Sequence, residues 1–260
     1  SEPLTVAVPA DRAAALVTPL GSAVLAAVGQ PYAGPPAVPA GFDRLDCALV
    51  PCVALTYDDG PTVHTPRLLD ELAELRASAT LYVLGQYAAG APDTVRRAAA
   101  EGHEIGNHTW SHPDMTTLPP QEIAAQFAGT SDAIEATTGQ RPTLARTGGG
   151  TIDDAVLAEA GRQGLAVINW DVVPFDWIND ADVSATREVL MRQIRPNSVV
   201  LLHDTFATTV DVVAEFLPVL EANGYHLVTV TEMLGPRPPG SLYGGRDNGP
   251  PADELVDTPG

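Results

Sequence analysis

Two histidines stand four positions apart in the stretch His108-Thr109-Trp110-Ser111-His112. On a helical turn, residues at this spacing share one face, so both imidazoles can reach the same metal ion. The stretch lacks the glutamate of a His-Glu-x-x-His motif, which argues against a zinc protease. A carboxylate would complete a set of two histidines and one carboxylate that leaves positions open for water. Without such a carboxylate, surface or capping histidines explain the spacing better.

The pair Asp58-Asp59 can supply that carboxylate. It directly follows an apolar strand candidate, Val53–Tyr57, and ends in the tight turn Gly60-Pro61. Two adjacent buried carboxylates repel each other unless a cation neutralises one of them. We therefore expect Asp59 to bind the metal and Asp58 to act as a general base. The other acidic pair, Asp153-Asp154, is more typical of a helix N-terminus.

A third histidine, His203, ends the apolar run Val199–Leu202. A neighbouring carboxylate such as Asp176 would raise the pKa of His203 and keep its imidazole protonated. His203 is then the natural general acid. The alternative is a structural histidine that is hydrogen-bonded under a loop.

The elements that position these residues alternate between short apolar strands and amphipathic helices. The predicted strands are Val53–Tyr57, Ala79–Val83, Glu104–Gly106, Ala166–Trp170, Ser198–Leu202 and His226–Val230. The predicted helices are Thr65–Arg76, Asp93–Glu101, Pro120–Thr138, Asp153–Gln163, Ser184–Gln193 and Val210–Asn223. Continuous apolar strands between helices indicate a parallel sheet that is covered on both faces, either a barrel or a doubly wound sheet. In both folds, functional residues gather at the carboxyl ends of the strands.

Three zones divide the 260 residues. Residues 1–45 are predicted to be the end of an upstream module followed by a Pro/Gly-rich linker. They could instead pack on the main domain as an extra layer. Residues 46–235 carry the strand and helix pattern, and residues 236–260 lose it, as is typical of an extended or disordered tail.

Composition limits the classes of partner. The formal net charge is −19, and every one of the 14 basic residues is arginine. Nucleic-acid binding needs clustered basic residues, so this class is excluded, whereas a neutral or cationic polymer fits an acidic surface. No apolar run is long enough to span a bilayer. The sequence leaves the oligomeric state open.

The two cysteines, Cys47 and Cys52, flank a proline-containing loop. A reduced protein could carry them by chance, but a single local disulfide fits the spacing better. A disulfide implies an oxidising compartment. We therefore expect a secreted or cell-envelope protein.

Four motifs in order resemble those of NodB-type polysaccharide deacetylases, carbohydrate esterase family 4. They are Leu55–Pro61, His108–His112, Asp171–Trp177 and Leu201–His203, within residues 46–235. The resemblance implies a distorted (β/α)7 barrel and the removal of acetyl groups from N-acetylglucosamine or O-acetylated sugars. The cysteine pair, with the segment before it, also resembles an actinobacterial cell-envelope subgroup of these peptidoglycan and chitooligosaccharide deacetylases.

The resemblance also implies a role for each matching residue. Asp58 would be the catalytic base, His203 the general acid, and Asp176 the carboxylate that tunes it. The ligands of one divalent metal ion would be Asp59, His108 and His112; their types favour zinc, although Co, Ni or Mn also suits them. Trp177 and Leu201 would form the apolar wall that receives the acetyl methyl group.

One motif departs from the family. Where the family usually has Arg-Pro-Pro-Tyr-Gly, this chain has the stretch Arg146-Thr147-Gly148-Gly149-Gly150. Arg146 is retained and can orient Asp58, while Gly149 keeps a backbone N–H for the oxyanion but has no side chain. We expect a wider groove at this edge. The acidic residue usual two positions after Asp171 is also replaced, by Val173.

The leading hypothesis is an N-deacetylase of an envelope polysaccharide, with peptidoglycan as the substrate. An O-acetyl esterase acting on acetylated xylan could use the same metal and the same acid–base pair. A third hypothesis, motivated by the altered stretch Arg146–Gly150, is a barrel that binds glycan with weakened catalysis.

Overall fold

A computed structural model of the chain describes residues 45–179 and 182–244. The predicted upstream module lies outside these residues, except for Leu45. In the described part, eight strands follow in the order β1 Cys52–Gly60, β2 Thr80–Val83, β3 Glu104–Asn107, β4 Leu144–Ala145, β5 Ala166–Ile168, β6 Ser198–His203, β7 His226–Leu227 and β8 Leu242–Tyr243. Every pairing between them is parallel.

The sheet curls into a distorted barrel. Its strands run in the order β6-β1-β2-β3-β4-β5-β8, and β7 pairs with β1. The segment that follows β5 pairs with β6, the first strand in this order, through a bridge between Val172 and Val200. The backbone N–H of Leu201 also donates to the carbonyl of Val172 at 3.0 Å. The predicted barrel of the NodB type is therefore confirmed over the doubly wound alternative.

Helices connect the strands and cover the sheet. They are α1 Thr65–Glu74, α2 Gly85–Gly90, α3 Pro92–Ala100, α4 Pro120–Thr138, α5 Asp154–Arg162, α6 Val183–Gln193, α7 Ala207–Ala222 and α8 Val230–Leu234, with short 3-10 turns at Met115–Thr117 and Gly148–Gly150. The prediction for α4 is confirmed at both ends. Pro120 lies in its first turn, and Gly139 ends it in the left-handed conformation at φ 75°, as helix boundaries favour.

Strand β1 is buried on both faces from Cys52 to Tyr57, which explains the apolar run with which it begins. Val53 and Leu55 pack in the largest core cluster, with residues of α1 and α7. The intervening Ala54 belongs to another cluster, which includes Tyr82 and Ile168. The site described below therefore begins at the end of a strand that is buried on both faces.

Several boundaries differ from the predictions. Strand β1 continues past Tyr57 to Gly60, so the acidic pair lies within it. The predicted strand His226–Val230 stops at Leu227, because Thr229 caps α8 in a reciprocal capping box with Glu232, which fixes a helix start there. Strands β4 and β8, each of two residues, and helix α2 were not predicted, since such short elements show no periodicity.

The ends of the described chain bear on two further predictions. Cys47 and Cys52 form a disulfide with a Cα–Cα distance of 5.4 Å, and it packs with Val228 at the start of β1. The segment predicted as an extended or disordered tail contributes β8, which pairs with β5; residues 245–260 lie outside the described part. Among the described residues, no helix has the length and apolar character needed to cross a membrane.

Candidate metal centre and active site

A bulge in β1 turns two adjacent carboxylates toward one point. In a regular strand, neighbouring side chains point to opposite faces. Here the register with β2 shifts between Asp58 and Gly60, and Asp59 adopts a positive φ of 71°. Both carboxylates consequently lie near His108 Nε2, at 3.7 Å from Asp58 Oδ2 and 3.3 Å from Asp59 Oδ1. Bulges of this kind often re-aim side chains beside active sites.

The three predicted metal ligands come together at this point. Asp59 Oδ1 lies 3.6 Å from His112 Nε2, and one ligand atom from each of Asp59, His108 and His112 falls within 4.8 Å of the others. The predicted helical turn for the two histidines is wrong. They lie in a loop after β3 in which Thr109 and His112 have positive φ values of 68° and 60°.

Side-chain hydrogen bonds hold this histidine loop in place. Asn107 Oδ1 accepts from the backbone N–H of Thr109 at 2.8 Å. The Asn107 amide nitrogen donates to Ser131 Oγ and to the carbonyl of Phe127 on α4. Gln126, also on α4, accepts the backbone N–H of Trp110. Asn107 was not predicted, although its position at a strand end is a signal that could have identified it.

The donor set fits a divalent cation. His108 Nδ1 lies 2.9 Å from the carbonyl of Arg146; a carbonyl only accepts, so Nδ1 carries a proton, and Nε2 of the neutral imidazole is the nitrogen that can bind a metal ion. Asp59 Oδ1 is buried without a hydrogen-bond partner among the described residues, a costly state for a carboxylate oxygen unless a cation binds it. Burial raises the pKa of Asp59, but the effects of His108 and His112 outweigh burial and hold this pKa below its usual value. The carboxylate is therefore ionised.

Arg146 holds Asp58 in place through one of its carboxylate oxygens. Its side chain is fully buried, and Nη1 donates to Asp58 Oδ1 at 2.8 Å and to Thr56 Oγ1 at 2.7 Å. The remaining guanidinium nitrogens donate to the carbonyls of Ile168 and Asn169. Thr56 was not predicted, but it stands two residues before Asp58 and so shares its face of the strand. The second Asp58 oxygen stays on the side of the metal ligands.

His203 is held by Asp176 on the opposite side of the site. Its Nδ1 lies 3.0 Å from Asp176 Oδ1, while Asp176 Oδ2 accepts from the His203 backbone N–H and from Thr209 Oγ1. Burial lowers the pKa of His203, but the hydrogen bond and charge of Asp176, with the charges of Asp58 and Asp59, raise it to about 9. The imidazole is therefore protonated at neutral pH.

Trp177, one of the two residues predicted to form the apolar wall, lies against this histidine. The ring of Trp177, which is 39% exposed, meets the His203 ring edge-on with 5.2 Å between centroids. Leu201 is only 3% exposed and packs with Trp170 and Val173. Val173, which replaces an acidic residue of the family pattern, thus contributes to an apolar cluster.

The glycine turn at Gly148–Gly150 borders His112, one of the predicted metal ligands. A Cβ on Gly148 would lie 3.1 Å from His112 Nδ1, so this backbone packs directly against the imidazole. Gly149 has φ 59°, and a Cβ on it would meet no atom within 4 Å. The space next to Gly149 is therefore open, and the wider groove at this edge stays a prediction.

Comparisons with known proteins agree with this geometry. A sequence profile described as polysaccharide deacetylase matches residues 47–168. The peptidoglycan-N-acetylmuramic acid deacetylase PdaC of Bacillus subtilis is 38% identical over 182 residues, which cover 70% of this chain and 38% of that protein. This chain therefore spans well under half the length of that relative.

Two further matches cover most of the related protein. A chitooligosaccharide deacetylase of Bradyrhizobium sp. is 37% identical over 191 residues, which are 67% of this chain and 87% of that protein. The solved structure of the T48 deacetylase with substrate superposes with a TM-score of 0.73 at 36% identity, covering 77% of this chain and 100% of that one. The chain belongs to the polysaccharide deacetylase family.

Proposed function

We propose that this chain is a metal-dependent deacetylase that removes acetyl groups from N-acetylglucosamine units of an envelope polysaccharide, with peptidoglycan as the substrate. One observation carries the proposal: the cluster of Asp59, His108 and His112 lies beside Asp58. The charge of His203 interacts with the carboxylates of Asp58 and Asp59 in the same site. The matched relatives include proteins named as deacetylases of peptidoglycan and of chitooligosaccharides.

Asp59, His108 and His112 would hold one divalent ion, with zinc favoured by the two imidazole ligands and Co, Ni or Mn also suitable. Such an ion supplies Lewis-acid chemistry, which activates water and polarises an acetyl carbonyl. His112 is 40% exposed, so this side of the centre is open to solvent and to substrate.

The proton transfers are assigned to two side chains. Asp58 takes a proton from the attacking water through Oδ2, because Oδ1 is engaged by Arg146. Protonated His203 donates from Nε2 to the departing amine, because Asp176 engages Nδ1. The base and the acid thus have different neighbours, Arg146 for Asp58 and Asp176 for His203. Hydrolysis of an amide needs both a proton acceptor and a proton donor in one site.

Further groups would position the acetyl group. The backbone N–H of Gly149 would donate to the oxyanion, and Trp177 with Leu201 would face the methyl group. A disulfide between Cys47 and Cys52 and the cell-wall substrates named for relatives support action outside the cytoplasm, secreted or in the cell envelope.

Substrate tests separate this proposal from an O-acetyl esterase. We expect acetate release from N-acetylglucosamine oligomers and from peptidoglycan, and little release from acetylated xylan. Activity on xylan alone would favour the esterase, for which the same acid and base would serve.

A catalytic variant separates turnover from glycan binding. Asp58→Asn removes the base while keeping its shape, so we expect a loss of roughly 100-fold or more in kcat. The matched control is Asp154→Asn, an exposed carboxylate in the first turn of α5, which should retain wild-type activity. Equal acetate release from wild type and Asp58→Asn, with or without a chelator, would contradict metal-dependent catalysis.

A further inference from the structure

The turn that carries Asp59 needs support from outside the strand. Asp59 is a non-glycine residue at φ 71°, a conformation that persists only when the surrounding structure holds it. Its backbone is followed by Gly60 and Pro61, which complete the turn. The residue that packs against this turn is Asp204, the neighbour of His203.

Asp204 lies directly on the turn. It is 1% exposed, and a Cβ added to Gly60 would lie 2.7 Å from both of its carboxylate oxygens. This is too close for any real side chain, so glycine at position 60 is what allows the carboxylate to approach. The Asp204 side chain thus occupies the space behind the metal-ligand turn.

A closed ring of hydrogen bonds fixes this contact. Asp204 Oδ2 accepts from Thr65 Oγ1, whose oxygen accepts from the backbone N–H of Thr62 at 2.7 Å. Thr62 Oγ1 then donates to the backbone carbonyl of Asp204 at 2.7 Å. We call Thr62, Thr65 and Asp204 the Asp204 brace. It joins the chain after β1 to the loop after β6.

We propose that Asp204 is a positioning residue that keeps Asp59 directed at His108 and His112 and fixes the metal ligands relative to His203. The proposal rests on the proposed function for the presence of a metal. The brace itself is a property of the chain without metal, because all its bonds are among protein groups. Mutation of a group that orients a metal ligand typically weakens metal binding by about 10–100-fold.

A matched pair at Thr65 tests the brace with little change in volume. Thr65→Val removes the hydroxyl that bonds Asp204 and Thr62, whereas Thr65→Ser keeps it. Asp204→Ala removes the carboxylate itself. Glu159→Gln is the control for the loss of a buried carboxylate, since Glu159 is 7% exposed and its partners, Arg162 and Gln163, all lie on or next to α5.

Two measurements are made on each protein. The first is the Zn²⁺ dissociation constant, from competition with a chromophoric chelator. We expect at least a 10-fold increase for Thr65→Val and Asp204→Ala, and wild-type values for Thr65→Ser and Glu159→Gln. The second is amide hydrogen exchange at Asp59, Gly60 and Thr62 in metal-free protein, which should be faster only in Thr65→Val and Asp204→Ala.

The outcomes distinguish the brace from the metal centre. Wild-type affinity and exchange in Thr65→Val would overturn the brace, even if Asp204→Ala fails to fold. If wild-type protein binds none of Zn²⁺, Co²⁺, Ni²⁺ or Mn²⁺, the proposed function fails, and the exchange measurement alone decides the brace. Equal effects in Thr65→Val and Thr65→Ser would also overturn it, because the hydroxyl would then be irrelevant.

Discussion

At the scale of single residues, Arg146 contacts both the proposed base and one of the proposed metal ligands. Its guanidinium holds Asp58, while its backbone carbonyl holds His108 Nδ1 and so exposes Nε2 toward Asp59. The family resemblance was sufficient to predict Arg146 beside Asp58. It did not predict the contact between the Arg146 carbonyl and His108, because nothing in a side-chain motif specifies which backbone group orients a ligand.

The pairing of His203 with Asp176 leads to a prediction on pH dependence. A cation beside Asp59 would offset the charges of Asp58 and Asp59, which leaves Asp176 as the main group that raises the pKa of His203. Asp176→Asn should therefore lower the pKa of His203 toward its ordinary value of 6.5, and the fall in kcat/KM at alkaline pH should begin at lower pH. The measurement is the pH profile of acetate release.

Thr209→Val is the control for this profile, since it removes a hydrogen bond to Asp176 but keeps its charge, so a smaller shift is expected. An unchanged profile in Asp176→Asn would contradict the assignment of His203 as the acid.

The raised pKa of His203 also affects the stability of the fold. The pair stabilises the fold fully below pH 6.5, and this contribution is lost as the pH rises through about 9.

At the scale of elements, irregular backbone at the ends of strands aims the predicted metal ligands. The bulge of β1 aims Asp59, and the loop after β3 aims both histidines. The His108–His112 spacing correctly suggested proximity, but it could not distinguish a helical turn from a loop, since the side chain of Asn107 competes for the backbone N–H of Thr109. For α4, a proline in the first turn and a glycine after the last turn mark both ends, so the sequence was sufficient to predict the helix and its bounds.

The glycine turn Gly148–Gly150 gives a prediction at this scale. Gly148→Ala should push against His112 and raise the dissociation constant for Zn²⁺, because its Cβ would lie 3.1 Å from the imidazole. Gly149→Ala introduces no contact but adds strain at φ 59°, so it should cost ~1 kcal/mol of stability and leave zinc affinity unchanged. Calorimetric zinc titration and urea unfolding measure the two effects.

The reverse result, with zinc affinity lost only in Gly149→Ala, would mean that the turn does not support His112 as described. The same pair of variants separates strain in the backbone from contact with the ligand, since only Gly148 touches the imidazole.

At the scale of the whole molecule, the barrel places the disulfide and the metal centre at opposite ends of β1. Cys52 opens the strand, and Asp58 and Asp59 lie near its end. The apolar runs predicted the parallel strands, but the closure of the barrel through Val172 and Val200 was not visible in the sequence, because a single bridge leaves no periodic pattern. The short strands β4 and β8 escaped prediction for the same reason.

This separation predicts that the disulfide contributes to stability and not to catalysis. The double variant Cys47→Ser, Cys52→Ser should lose about 2 kcal/mol of unfolding free energy, as closure of so short a loop implies. Acetate release in the absence of denaturant should stay at the wild-type rate. Urea unfolding with and without reductant measures the first effect; a large loss of kcat in the folded variant would contradict the separation.

The central claim is that Asp59, His108 and His112 form one catalytic metal site, and metal reconstitution tests it most directly. Protein stripped with a chelator would be titrated with Zn²⁺ while acetate release from N-acetylglucosamine oligomers is followed, in parallel with His112→Ala. We predict no activity in stripped wild type, full recovery at one equivalent of zinc, and no recovery at that ratio in His112→Ala. Full activity in the stripped protein, or equal recovery in both proteins, would contradict the account.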